Sequence, residues 1–367
     1  MNVPALKSLV LCLVFTGISS CASPRSHFGI YDMDTKQMAH RVYDDGNGSR
    51  EYFVHVRPDE DVFATLQIKD ERKGLCLRWR DKEGKLIEQT DLPYFDFTSG
   101  TGYNLSPDKS KLIAKTWGEL TVAFLHDDAP PKLKTLFHLP ESIDPFRRQV
   151  SIEFVGWVSN DELLIMEGLE VPPKDPRDNR PFFNLENSVY VYDIRNSKRK
   201  MIAERNLNMK MILSDDRKFV AVALLSRRFE EDPTDSVKVK IFDLEQFAYV
   251  AEFDIPGHFV FGHWGWTWLD NGKTLAFYRN TNEEGPKIIR YNRETGTLSE
   301  TKFDIPASWE KCWMMGMYDR YWVLQKNDFR TPTSARYLYD TVTGEYSKFD
   351  SVDHRWLFAG HYFLGLY

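Results

Sequence analysis

Residues able to do chemistry are scattered along this chain rather than gathered into a familiar motif. His258 and His263 lie five apart, and His126, Asp127 and Asp128 form a local cluster. Neither group has the convergent spacing of a zinc helix or a calcium loop. Histidine beside aromatics in a strand is ordinarily a bonded structural residue, so no metal and no other cofactor is expected. There is no Gly-x-Ser-x-Gly elbow, P-loop or dinucleotide fingerprint, and no catalytic residue is assigned. The 54 Asp and Glu residues leave a carboxylate pair for glycoside chemistry open, because distant segments can bring acids together. The sequence does not choose among them. Binding chemistry is better marked. Trp, Tyr and Arg are the usual anchors of interfaces, and such side chains collect in a few long connections. Arg177, Arg180, Phe182 and Phe183 fall in a Pro-rich stretch, 169–188. His258, His263 and Trp264 fall in 256–266, and Trp309 and Lys311 in 306–313. These nine are the candidate binding residues, although packing between sheets would explain any one aromatic equally well.

Something rigid must hold those connections. Of the 367 residues, 42% are hydrophobic and 14% aromatic, the latter favouring strands. The formal charge of −6 argues against general nucleic-acid binding, which needs clustered positive charge. The strand pattern repeats in two registers. In one, a strand ends in an acid or amide and a polar turn follows, at Asp32, Asp81, Asp127, Asp193, Asp243, Asn292 and Asp340. The interval is about 50 residues, with one longer step from Asp127 to Asp193 that contains the Pro-rich stretch. In the other, a turn separates two apolar strands, as at Ser106-Pro107-Asp108, Ser159-Asn160-Asp161, Ser214-Asp215-Asp216 and Asp270-Asn271-Gly272. Asp, Asn, Gly and Pro set turn dihedrals or bond their own backbone.

The registers interleave, so each unit holds four strands, a to d, with tight a–b and c–d turns. Such units are β-propeller blades. The chain begins with a lone c–d hairpin at 28–42 and ends with a lone a–b hairpin at 353–367. The expectation is therefore an all-β fold: a single seven-bladed propeller closed by those two hairpins in one composite blade. The long b–c and d–a connections would then share one face. Cys76 and Cys312 would lie on different blades as buried, unpaired thiols, since a bridge needs Cα atoms within about 7 Å. The run Leu105-Ser-Pro-Asp-Lys-Ser-Lys-Leu-Ile-Ala114 resembles the blade turn of TolB-like and WD40-like propeller proteins. Ser214–Ala221 and Leu269–Phe277 resemble it more faintly. A regular series of Trp-Asp and Gly-His pairs is missing. The extra N-terminal domain of the TolB-like family is not expected here, since residues 22–28 leave no room for it.

The N-terminus is of another kind. Lys7 precedes an apolar run from Ser8 to Ser20, too short to span a bilayer and built like a secretory signal. Ile18-Ser19-Ser20-Cys21 resembles the bacterial lipobox, with Ile18 where Leu is usual. The resemblance implies a signal peptide over 1–20, lipidation of Cys21 and a tether over 21–27, ahead of the propeller expected over 28–367. A plain signal peptide, with Cys21 incidental, is the alternative. Several acyl chains anchor stably where one would not. Ala22 resembles the sorting pattern for the outer membrane. The expectation is a lipoprotein of the bacterial cell envelope, anchored to the membrane through Cys21 and facing the periplasm. It would act as a binding or scaffold module for an envelope protein or a cell-wall component. The alternative is a propeller enzyme, hydrolase or lyase, acting on a saccharide or another small envelope substrate.

Overall fold

The computed structural model describes the strands and most of the tight turns between residues 28 and 366. Residues 1–27, 33–36, 43–50, 58–61, 69–73, 82–83, 93–102, 116–118, 127–128, 139–149, 171–184, 208, 225–235, 257–265, 282–284, 303–311, 319–320, 327–334, 350–355, 360–361 and 367 lie outside the description. The protein is an all-β propeller.

The chain opens with β1 (Phe28–Asp32) and β2 (Gln37–Val42). Six sheets of four consecutive strands follow. The first holds β3 (Glu51–Arg57), β4 (Val62–Ile68), β5 (Leu75–Asp81) and β6 (Leu86–Leu92). The second holds β7 (Tyr103–Leu105), β8 (Lys111–Lys115), β9 (Glu119–His126) and β10 (Ala129–His138). The third holds β11 (Val150–Trp157), β12 (Glu162–Glu170), β13 (Leu185–Asp193) and β14 (Lys198–Leu207). The fourth holds β15 (Met209–Leu213), β16 (Phe219–Leu224), β17 (Ser236–Asp243) and β18 (Ala248–Pro256). The fifth holds β19 (Trp266–Leu269), β20 (Thr274–Thr281), β21 (Gly285–Asn292) and β22 (Thr297–Lys302). The sixth holds β23 (Cys312–Tyr318), β24 (Tyr321–Lys326), β25 (Ala335–Asp340) and β26 (Tyr346–Phe349). The chain closes with β27 (Trp356–Ala359) and β28 (Tyr362–Leu366). These pair with the opening strands in the order β2-β1-β28-β27. Within that sheet Phe28 faces Leu366 and Asp32 faces Tyr362.

First strands of neighbouring sheets approach one another, β3 with β7, β11 with β15, β15 with β19 and β19 with β23. They therefore form the inner wall. Where β11 meets β15, a Cβ on Gly156 would lie 2.8 Å from Leu213 Cδ2, so glycine lets the two strands close up. Buried apolar side chains fill the space between the sheets, whereas outer strands such as β22 are exposed along their length. Leu66, Leu77 and Trp79 of the first sheet pack with Leu105, Leu112 and Ala123 of the second. Ile113 and Val122 meet Ile165 and Tyr190 across the next gap, and Val189 and Val191 meet Val220 and Phe242 across the one after. The fourth and fifth sheets share the cluster of Phe219, Ile241, Trp268 and Phe277. The fifth and sixth share Tyr278, Ile288, Trp322 and Leu324. Burial of each such Leu, Ile, Val or Phe side chain contributes about 1.5–3 kcal/mol. Cys76 lies buried on β5 and Cys312 opens β23, in different sheets.

Candidate functional site

The tight turns among the described residues lie at one end of their sheets. Arg57 pairs with Val62 across the first a–b turn, and Val62 pairs in turn with Asp81 at the c–d turn. The chemistry of this turn end is local and largely self-satisfied. Asp193 Oδ1 accepts the N–H groups of Arg195 (2.8 Å) and Asn196 (3.3 Å). Asp243 Oδ1 does the same for Glu245 (2.8 Å) and Gln246 (2.9 Å). Asn292 serves Glu294 and Thr295, and Asp340 serves Val342 and Thr343. These repeated acids hold their turns as Asx caps. Two of the a–b turns use serine. Ser106 Oγ accepts Lys111 N–H (2.9 Å) and donates to Asp108 Oδ1 (2.6 Å). Ser214 repeats this with Phe219 N–H (2.9 Å) and Asp216 (2.5 Å). Burial pushes the Asp108 carboxyl up, but hydrogen bonds from Ser106 and Ser110 outweigh it and hold the group below the usual carboxylate range.

Turns of adjacent sheets are also tied together. Asp108 N–H donates to Asn160 Oδ1 at 3.1 Å. Asp161 receives Lys111 from the preceding sheet at 3.2 Å and Arg195 from its own. The Arg293 guanidinium sits 3.8 Å from the centre of the Phe219 ring, a cation–π contact between the fourth and fifth sheets. Trp157 Nε1 donates to Asn104 O and Trp268 Nε1 to Ile212 O, both at 3.3 Å.

The outer wall carries a feature that no chemical motif marks. Six residues after the turn acid or amide, four sheets present a large exposed apolar side chain. These are Ile87, Leu133, Tyr249 and Leu298. The pattern was available in the sequence, in register with Asp81, Asp127, Asp243 and Asn292.

The other end bears the long connections. The 171–184 connection leaves from Glu170 and returns at Leu185, which pair with each other. The 257–265 connection leaves from Pro256, paired with Ser236. The 303–311 connection leaves beyond Lys302, paired with Lys287. All three depart from the end opposite the turns, so the backbone brings the candidate connections to one face. Arg177, Arg180, Phe182, Phe183, His258, His263, Trp264, Trp309 and Lys311 themselves lie outside the described residues, as does Cys21. On the strands below, Glu167 pairs with Arg199 at 2.7 Å. The Arg199 guanidinium lies over the Tyr190 ring at 4.6 Å and near the Phe137 ring at 5.3 Å. Burial, then the Glu167 charge, keep the Tyr190 hydroxyl protonated well above its ordinary range. Lys287, buried on β21, reaches Glu300 at 2.6 Å, and Lys238 at the matching place on β17 reaches Glu252 at 2.6 Å. Among the described residues, no three His, Cys, Asp or Glu side chains are placed to share a metal ion, and no helix is long and apolar enough to cross a membrane.

No family model matches the chain, and no curated protein matches it. Solved structures do. An oligogalacturonate lyase in complex with manganese aligns over 89% of this chain and 94% of its own, at 13% identity and a TM-score of 0.55. A prolyl endopeptidase aligns over 84% of this chain at 12% identity and a TM-score of 0.50. This chain spans 44% of that peptidase's length. TolB from Acinetobacter baumannii aligns over 92% of this chain and 75% of its own, at 11% identity and a TM-score of 0.39, too distant to bear on function. At these identities the likeness is one of fold, which is shared by unrelated activities.

Proposed function

We propose that this chain is a lipid-anchored, seven-bladed propeller that holds an envelope protein or a cell-wall component on its loop-bearing end. The sheet made from the two chain ends is the seventh blade and the latch of the ring. Cys21 carries the acyl chains, and the protein faces the periplasm from the outer membrane. The observation that carries the reading is the division of labour between the ends. Turn-end carboxylates such as those of Asp193, Asp243 and Asp340 are occupied by their own backbone, whereas the strands release the long connections from the opposite end. Binding groups on long loops over a rigid scaffold are the common arrangement.

The test is crosslinking in native membranes, followed by identification of what is captured. A variant with residues 172–182 replaced by a short Gly-Ser linker goes through the same capture. The reading predicts one dominant envelope partner and its loss in the variant, with unfolding unchanged. Unchanged capture by the variant removes that loop from the reading.

A second reading, an enzyme acting on a saccharide, draws on the fold likeness to the oligogalacturonate lyase. Incubation with oligogalacturonate and manganese, followed by ultraviolet absorbance of an unsaturated product, tests it. No product above the no-protein rate counts against a lyase of that type.

A further inference from the structure

We infer that the loop-bearing end of the ring faces the lipid bilayer, so that whatever it binds is met at the membrane surface. The inference rests on the proposed lipid anchor at Cys21, and on the direction in which β1 runs.

β1 is the third strand of its sheet. Its last residue, Asp32, pairs with Gln37 at the c–d turn and with Tyr362 beside the a–b turn. Its first residue, Phe28, pairs with Val42 and Leu366. Phe28 therefore stands at the end opposite the turns, the same end from which 171–184, 257–265 and 303–311 depart. A tether from Cys21 enters the ring at its loop-bearing end.

Length then limits the orientations. Residues 21–27, fully extended, reach about 25 Å. With the loop-bearing end toward the lipid, the tether has slack to spare. With the turn end on the lipid, Phe28 would sit at least the length of β1, about 16 Å, above the surface. The tether would then have to double back past the outer strand β2 and span at least that height, more than the ~15 Å a free seven-residue chain averages, which restricts its conformations. At the described turns acids outnumber bases, and Arg195 is paired with Asp161, Lys218 with Glu245 and Lys273 with Glu294, so that end carries no net positive charge toward anionic lipid. The arrangement favours a partner embedded in, or lying on, the same membrane, and it points the tight turns toward the periplasm.

The test uses the full-length lipidated protein in vesicles of phosphatidylethanolamine and phosphatidylglycerol that contain an acceptor-labelled lipid. A clickable amino acid carrying a donor dye replaces either Leu169 or Lys198. Leu169 is 45% exposed at the loop-bearing end, and Lys198 is exposed beside the c–d turn of the same sheet. From Glu162, which pairs with Asp193 at the turn end, to Leu169 the strand rises about 23 Å. Transfer from position 169 is expected to exceed that from 198 by roughly twofold or more over such a height difference. Inserting a long Gly-Ser spacer after Arg25 is expected to abolish the difference. Equal or reversed transfer, or a difference that survives the spacer, overturns the tether-set orientation. Palmitate incorporation and its loss in Cys21→Ser are measured in parallel. No incorporation overturns the anchor and the orientation together, whereas incorporation with equal transfer overturns the orientation alone.

Discussion

Replacing Ser214 by alanine removes two bonds at once from an a–b turn. Ser214 is only 2% exposed. Its Oγ accepts the buried Phe219 N–H at 2.9 Å and donates to Asp216 Oδ1 at 2.5 Å. Alanine leaves the Phe219 N–H without a partner and without water, which costs about 1–3 kcal/mol. The lost hydroxyl–carboxylate bond adds about 1 kcal/mol, at the low end for a charged acceptor because Asp216 is partly solvated. The expected loss is about 2–4 kcal/mol. Ser106 offers a built-in replicate, with Lys111 N–H at 2.9 Å and Asp108 at 2.6 Å. Ser106→Ala should therefore cost a similar amount, and the double variant should be additive within about 0.5 kcal/mol, because the sites lie in different sheets. Urea unfolding followed by tryptophan fluorescence reads the shift in midpoint. A loss below about 0.5 kcal/mol at both sites, with unchanged slope, would refute the view that these serines hold the turns.

Other outcomes follow from the same structure. Asp108 has a lowered pKa in the fold, so its contribution to stability is present above its unfolded value, near 4, and is lost as pH falls through the folded value. Stability should fall below about pH 4, and Asp108→Asn should flatten that slope in acid titrations. Gly272 sits at φ +84° with Asp216 Oδ1 2.9 Å from where a Cβ would be, so Gly272→Ala should lower stability by about 1–3 kcal/mol, read by thermal melting. Trp268→Phe removes the indole bond to Ile212 O between the fourth and fifth sheets and should cost about 1–2 kcal/mol, read by the urea midpoint. The strand pairing of Gly29 with Gly365 predicts that Gly29→Cys with Gly365→Cys can be bridged by a short bis-thiol reagent, giving altered migration on denaturing gels. Failure to bridge in the folded protein would count against closure through the chain ends.

Much of the architecture is legible because its chemistry is local. The acids at positions 193, 243 and 340 bond backbone two and three residues ahead, so residue type and turn sit together in the sequence. The unbroken apolar run of β16, Phe219 to Leu224, and the run Leu275 to Tyr278 in β20 are likewise short-range signals. The ties between sheets are not. Lys111 with Asp161, Trp157 with Asn104 and Arg293 with Phe219 join residues about 50 or more apart, and neither partner's neighbours announce the other. The rim positions Ile87, Leu133, Tyr249 and Leu298 stood in register but carry no chemical motif, so a search for reactive groups passes over them. Loop length and aromatic content are the only signals in the sequence that mark the candidate binding residues. The strands place their three connections at one end of the ring, and the side chains themselves lie outside the described residues.

The central claim is that the protein works through its loop-bearing end. A photo-reactive amino acid introduced in place of Phe182 or Trp309, and separately in place of Val342, which is 72% exposed at a c–d turn, puts that claim to the test in living cells. Illumination should yield a discrete crosslinked species from positions 182 and 309 and none from 342. A product from 342 alone would place the working surface on the turns and contradict the account.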